Sequence, residues 1–202
     1  MSRTSRAKAG VDTAERIVDA ALELAEEHGW DNVRLHQLAD RTGLALRTIG
    51  EQFADLDAIA NAWFRRARDV VLSTPPATLT GAALERLELV MMRWFKTVTP
   101  QRRVTGQMLR TKLYPSHPHH WVPLIFDLSR LMHSFLDAAR IHSTGRQRQL
   151  AETGLTLIFL ATLRTWLNDD SNDQERTRAG LRRRLDRADR WLPWLDQRSR
   201  TH

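Results

Sequence analysis

An all-α fold is predicted from three observations. Apolar residues recur at i, i+3 and i+4 in segment after segment, the spacing of amphipathic helices. No segment alternates apolar and polar residues with the two-residue period of a strand, and β-branched residues never cluster between turn signals at hairpin spacing. Gly29, Gly43 and the pair Pro75-Pro76 fall where periodic segments end.

The first helix is expected from Asp12 to His28, with Ile17, Ala20, Ala21, Leu24 and Ala25 on one face and Asp12 or Thr13 as its cap. Gly29 stands where a left-handed C-terminal cap is wanted. Residues 1–9 ahead of it form a flexible basic arm with no apolar stretch, which excludes a secretory signal. A second helix, about Leu35 to Thr42, buries Leu35, Leu38 and Ala39, and Gly43-Leu44 turns the chain into a short segment, Leu46 to Gln52. Two short helices around a glycine turn make a helix-turn-helix candidate. Asp55 caps a long fourth helix carrying Ile59, Trp63, Phe64 and Val70, which Pro75-Pro76 ends. Further helices follow at Ala82 to Val98, Gln101 to Leu113, Trp121 to Ile141, Arg146 to Leu167 and Glu175 to Trp191, with a proline and histidine loop at residues 115–120. About nine helices therefore divide into the arm (1–9), a helix-turn-helix domain (10–56) and a larger ligand-binding and dimerisation body (57–198).

Composition bounds the function. The 202 residues, 42% hydrophobic and 27% charged, are those of a soluble globular protein able to bury roughly 70% of its unfolded surface. With Cys 0, disulfides, thiolate metal sites and cysteine nucleophiles are all excluded. The longest apolar run, Leu155 to Leu167, is too short to span a bilayer and carries Thr156, Thr162, Arg164 and Thr165. A cytoplasmic location is expected. Lys+Arg 31 against Asp+Glu 24 gives +7, which invites a polyanionic partner, but the excess is uneven. Residues 1–53 hold seven Lys+Arg against nine Asp+Glu, a net of −2, while residues 54–168 hold 15 against 8, a net of +7.

The stretch Arg16-Ile-Val-Asp-Ala-Ala-Leu-Glu-Leu-Ala-Glu-Glu-His-Gly-Trp30, with Val33, Leu35, Leu38-Ala39, Gly43-Leu44, Thr48-Ile49 and Phe53 after it, resembles the amino-terminal head of TetR-family regulators. The resemblance implies a three-helix DNA-binding head, a ligand-binding body and a homodimer formed by the last two helices. It implies that Arg47 and Thr48 open the recognition helix with Gln52 one turn on. Arg47 then suits a bidentate contact to guanine and Gln52 adenine or phosphate, while Thr48 and the arm residues Arg3, Arg6 and Lys8 hold the backbone, with Arg34 and Arg41 on the same side. Two positions depart from the family. Gly50 replaces the usual aromatic, and Leu56 replaces the usual lysine, so two phosphate anchors for operator DNA are missing. The alternative for Arg47, Thr48 and Gln52 is a solvated, vestigial head.

The carboxy-terminal run Leu157-Ile-Phe-Leu-Ala-Thr-Leu-Arg-Thr-Trp-Leu-Asn-Asp-Asp-Ser171 with Leu181-Arg-Arg-Arg-Leu185 is similar to the end of the coenzyme Q biosynthesis lipid-binding proteins, which share the TetR fold. That resemblance implies a lipid- or isoprenoid-binding accessory protein with a silent head. Both resemblances imply an apolar or lipid-like ligand. The candidates for its pocket are Trp63, Met91, Trp94, Phe95, Met108, Trp121, Phe126, Met132, Phe135, Phe159 and Trp166, whose alternative is ordinary core.

Other signals are weaker. His117, His119 and His120 sit too close along a proline-broken loop for fixed chelation, so no metal is expected. Asp169, Asp170 and Asp173 end one helix and cap the next more simply than they hold a cation. Neither a Gly-x-Ser-x-Gly elbow, a phosphate-cradling glycine loop nor a His-Glu-x-x-His helix occurs, and neither an enzyme nor a cofactor is expected. The last helix mixes Arg178, Arg182, Arg183, Arg184, Arg187 and Arg190 with Leu181, Leu185 and Trp191. It reads as a salt-bridged dimer seam, with peripheral contact to an anionic membrane as the alternative.

Overall fold

The computed structural model describes residues 3–112, 121–141 and 145–191, and their side chains except those of 3–9, 121–126, 146–147 and 190–191. The described residues are helical without any strand: α1 (Arg3–His28), α2 (Leu35–Thr42), α3 (Leu46–Gln52), α4 (Leu56–Leu72), α5 (Ala83–Val98), α6 (Arg102–Lys112), α7 (Trp121–Ala138), α8 (Gly145–Trp166) and α9 (Glu175–Trp191). Single 3-10 turns stand at Trp30–Asn32, Pro76–Thr78, Thr99–Gln101 and Asn172–Gln174.

The punctuation predicted at Gly29 and Asp55 holds, whereas Asp12 and Thr13, expected to cap the first helix, lie inside it. Gly29 has φ +87° and its N–H donates to the Ala25 carbonyl at 2.9 Å, stopping α1. Asp55 Oδ1 accepts the Ala58 N–H at 2.7 Å and starts α4. Two ends differ from expectation. The first helix begins at Arg3 and takes in the residues expected as a flexible arm, because Ala7, Lys8 and Ala9 favour helix and the single Gly10 costs only about 1 kcal/mol. Helix α7 stops at Ala138, where Arg140 turns left-handed (φ 55°) and the Ile141 N–H reaches back to the Leu136 carbonyl at 2.9 Å.

Two compact units divide the chain, and neither is continuous in sequence. The first comprises Met1–Arg66 and Gln101–Tyr114, the second Ala67–Pro100 and Pro115–His202. In the first, Ile17, Ala21, Leu24, Val33, Leu38, Ile49, Phe53, Ile59, Val104 and Met108 form the core. Helix α6 is fastened to it by polar contacts: Gln107 Oε1 accepts the Trp30 N–H (2.7 Å), Trp63 Nε1 donates to Thr105 Oγ1 (3.1 Å), and Thr111 Oγ1 donates to Asp31 (3.0 Å). Arg103 pairs with Glu26, and the buried Lys112 ammonium with Asp57.

The second unit packs α5, α7, α8 and α9. Its centre is aromatic: Trp94 meets Phe95 and Phe159 edge-on, at 5.2 and 5.1 Å between ring centres, while Phe95 and Phe159 stack at 5.6 Å. Below them Thr99 Oγ1 accepts hydrogen bonds from Trp166 Nε1 (3.0 Å) and Gln174 Nε2 (2.9 Å) and donates to the Phe95 carbonyl (2.7 Å). Asp169 folds back into the α8–α9 corner and accepts from the backbone and hydroxyl of both Ser171 and Thr177, at 2.5 to 3.0 Å.

Candidate functional site

Helices α2 and α3 are held at a fixed angle by two buried residues and one glycine. Leu38 and Ile49 are fully buried on the core side, and Gly43 at φ +68° makes the corner, its N–H capping α2 at the Ala39 carbonyl (2.9 Å). A side chain at that φ carries a steric penalty of about 1–2 kcal/mol, which explains the glycine. With Ile49 and Phe53 inward, the exposed residues of α3 are Leu46, Arg47, Gly50, Glu51 and Gln52.

The Arg47 side chain is 90% exposed, and its Nε pairs with Glu51 Oε1 one turn on at 2.9 Å. Thr48 is half-buried and Gln52 exposed on the next turn. Arg34 is bound into the start of α2, donating from Nη1 to the Asp31 and Val33 carbonyls at 2.7 and 2.8 Å. Arg41 turns to α1, to Glu27 at 2.8 Å and Glu23 at 3.4 Å. Its hydrogen bond holds the Glu27 carboxyl below the usual range and raises Arg41 in return. Arg3, Arg6 and Lys8 lie on the first turns of α1, with side chains outside the described residues. The two departures are also plain: Gly50 is exposed and a Cβ built there meets nothing within 4 Å, and Leu56 is half-buried as the first residue of α4.

The electrostatics of the unit differ from those of its first 53 residues. Over Met1–Arg66 and Gln101–Tyr114 there are 13 Lys+Arg against 11 Asp+Glu, a net of +2 in place of −2. Helix α6 brings Arg102, Arg103, Arg110 and Lys112 with no acid. Several acids of α1 are also engaged: Arg66 pairs with Glu15 and, at 2.7 Å, with Asp19, besides the pairs of Glu23, Glu26 and Glu27 already given. Sequence order hid this, since α6 lies 50 residues downstream of the head it joins.

The apolar candidates separate into two groups. Met91, Trp94, Phe95, Met132, Phe135, Phe159 and Trp166 are buried together in the second unit, whereas Trp63 and Met108 are buried in the first. The side chains of Trp121 and Phe126 lie outside the described residues, as does the loop with His117, His119 and His120. Trp94 carries one further feature that spacing could not reveal. Its side chain is buried, yet its Nε1–H finds no acceptor among the described residues.

At the carboxy-terminal end, Leu181 and Leu185 of α9 face the core, while Arg182 reaches Glu88 at 3.1 Å and Arg184 donates to Thr165 Oγ1 at 3.1 Å. No helix among the described residues is long and apolar enough to cross a membrane. Asp169 serves as a cap in the α8–α9 corner, and no group of three or more metal-ligating side chains occurs among the described residues.

The chain is similar over 90% of its length to a TetR transcriptional regulator from Nitrosomonas europaea, 99% of which is covered, at 33% identity and a TM-score of 0.78. A TetR transcriptional regulator from a Rhodococcus species aligns with 85% of this chain and 91% of its own, at 21% identity and a TM-score of 0.63. EbrR, a multidrug binding protein solved in complex with imidazole, shares 20% identity at a TM-score of 0.57 over 86% of this chain and 89% of its own. The likeness to the last two is one of fold. No family model and no curated protein matches the chain.

Proposed function

Because the chain belongs to the TetR family of transcriptional regulators, we propose that it is a homodimeric repressor whose α3 helices enter operator DNA and leave it when a small apolar ligand binds the second unit. The observation that carries the DNA half is the α2–Gly43–α3 corner. It leaves Arg47 almost fully exposed on a helix whose other side is anchored by Ile49 and Phe53. An unburied guanidinium on a rigid short helix suits bidentate contact with guanine. The net over the first unit is +2, against −2 for its first 53 residues alone, and this supports contact with a polyanion.

Dimerisation is supported by α8, where Leu150, Leu157 and Leu160 are exposed at the seven- and three-residue spacing of a helix–helix seam. The ligand half is supported by the aromatic and methionine cluster around Trp94. Its unmet indole N–H favours an apolar molecule carrying one hydrogen-bond acceptor. EbrR, with its bound imidazole, is an instance of a small molecule held by the same fold.

Fluorescence anisotropy with labelled DNA from the protein's own upstream region tests the reading. A salt-sensitive, sequence-specific complex is expected, and Arg47→Ala is expected to weaken it about tenfold or more. Equal affinity for that DNA and for unrelated duplex at every salt concentration overturns the proposal.

A further inference from the structure

Two residues on the outward face of α3 have no use in the fold. Leu46 leaves 51% of its surface in water, although Leu38, Ile49 and Phe53 already fill the core beside it. One turn on, Gly50 is exposed, has right-handed helical geometry, and would meet nothing within 4 Å if it carried a Cβ. Neither its backbone conformation nor local packing demands glycine. Glycine in mid-helix is unfavourable, so on folding grounds alone alanine is the better residue.

Both features make sense against an external body. A bare Cα permits close approach of another molecule, and the leucine beside it offers an apolar contact at that point. Arg47 and Glu51 flank the pair and are tied to each other at 2.9 Å, which makes a charged border around an apolar notch. In the major groove the base edges present polar donors and acceptors with one apolar exception, the 5-methyl group of thymine. We propose that Leu46 reads a thymine methyl in the operator, and that Gly50 is there to let the duplex approach closely enough for it to do so. The inference rests on the DNA-binding reading above and specifies its chemistry.

The test uses the full-length protein and duplexes that it selects from a randomised pool. Each thymine of the selected site is replaced in turn by uracil, which removes only the methyl. At one or two positions per half-site, uracil is expected to weaken binding of the unaltered protein about fourfold, the effect of one methyl left in water. Leu46→Ala is expected to bind thymine and uracil duplexes equally. Gly50→Ala is expected to raise Tm by about 2–4 °C. The same variant is expected to weaken binding about tenfold, as for one lost base contact. Thermal melts of both variants separate loss of fold from loss of contact. The proposal is overturned if no position responds to uracil, if Leu46→Ala stays uracil-sensitive, or if Gly50→Ala binds as tightly as before. If the pool yields no enriched sequence, the DNA-binding reading itself fails and takes this one with it.

Discussion

At Asp169, burial opposes the charge, but hydrogen bonds from Ser171 and Thr177 outweigh it and lower the carboxyl from the ordinary 3.8 to about 2. A folded-state value below the unfolded one stabilises the protein above about pH 4, and that contribution disappears as the pH falls towards 2. The difference is worth roughly 2.5 kcal/mol. Asp169→Asn is therefore expected to lose about 2–3 kcal/mol at neutral pH and to flatten the decline in urea midpoint between pH 4 and 2. An unchanged acid limb would refute the assignment. Thr99 is the second residue on which this unit turns. Thr99→Val withdraws the acceptor shared by Trp166 Nε1 and Gln174 Nε2, with an expected loss of about 1–3 kcal/mol in urea denaturation. Neither role was legible in the sequence beyond the general statement that the aspartates after Asn168 end one helix and cap the next. Which aspartate turns inward depends on the buried corner around Thr177, and that is a matter of packing.

Among the elements, the turn between α2 and α3 is the most exacting. Gly43→Ala places a Cβ at φ +68°, and an expected cost of about 1–2 kcal/mol falls on the corner that aims α3. Urea melts should register the loss, and DNA affinity should fall with it, since Arg47 is positioned through that corner. Retention of full stability would mean that the turn relaxes freely. Element by element, the reading from sequence succeeded where chemistry is local: Gly29, Gly43 and Asp55 end or begin helices through their own backbone or side chain. It failed at Arg3 and at Ala138, where several compatible boundaries exist and small propensities decide among them. The exposed face of α3 was half legible. Arg47 and Gln52 declared themselves by residue type, but the exposure of Leu46 did not, because a leucine in a short amphipathic helix reads as core.

For the whole molecule, the exposed leucines of α8 lead to a prediction about assembly. Leu157 is 65% exposed, so a charge there remains in water in the single chain. Leu157→Glu is expected to give a folded monomer in sedimentation velocity at micromolar concentration, with an unchanged thermal melt of the isolated chain. A variant that remains dimeric would move the seam elsewhere. The grouping of α6 with the first unit was the least legible feature. Its Gln107, Thr105 and Arg103 look like ordinary surface residues until Trp30, Trp63 and Glu26 are placed beside them. That grouping also bears on inheritance. The head is written in two separate passages of the sequence, so a recombination event that copies residues 1–66 alone delivers a core missing Val104 and Met108 and an indole with no Thr105 to receive its hydrogen. Trading residues 1–66 with a relative is thus expected to destabilise the first unit, whereas substitutions confined to the exposed face of α3 leave its core intact.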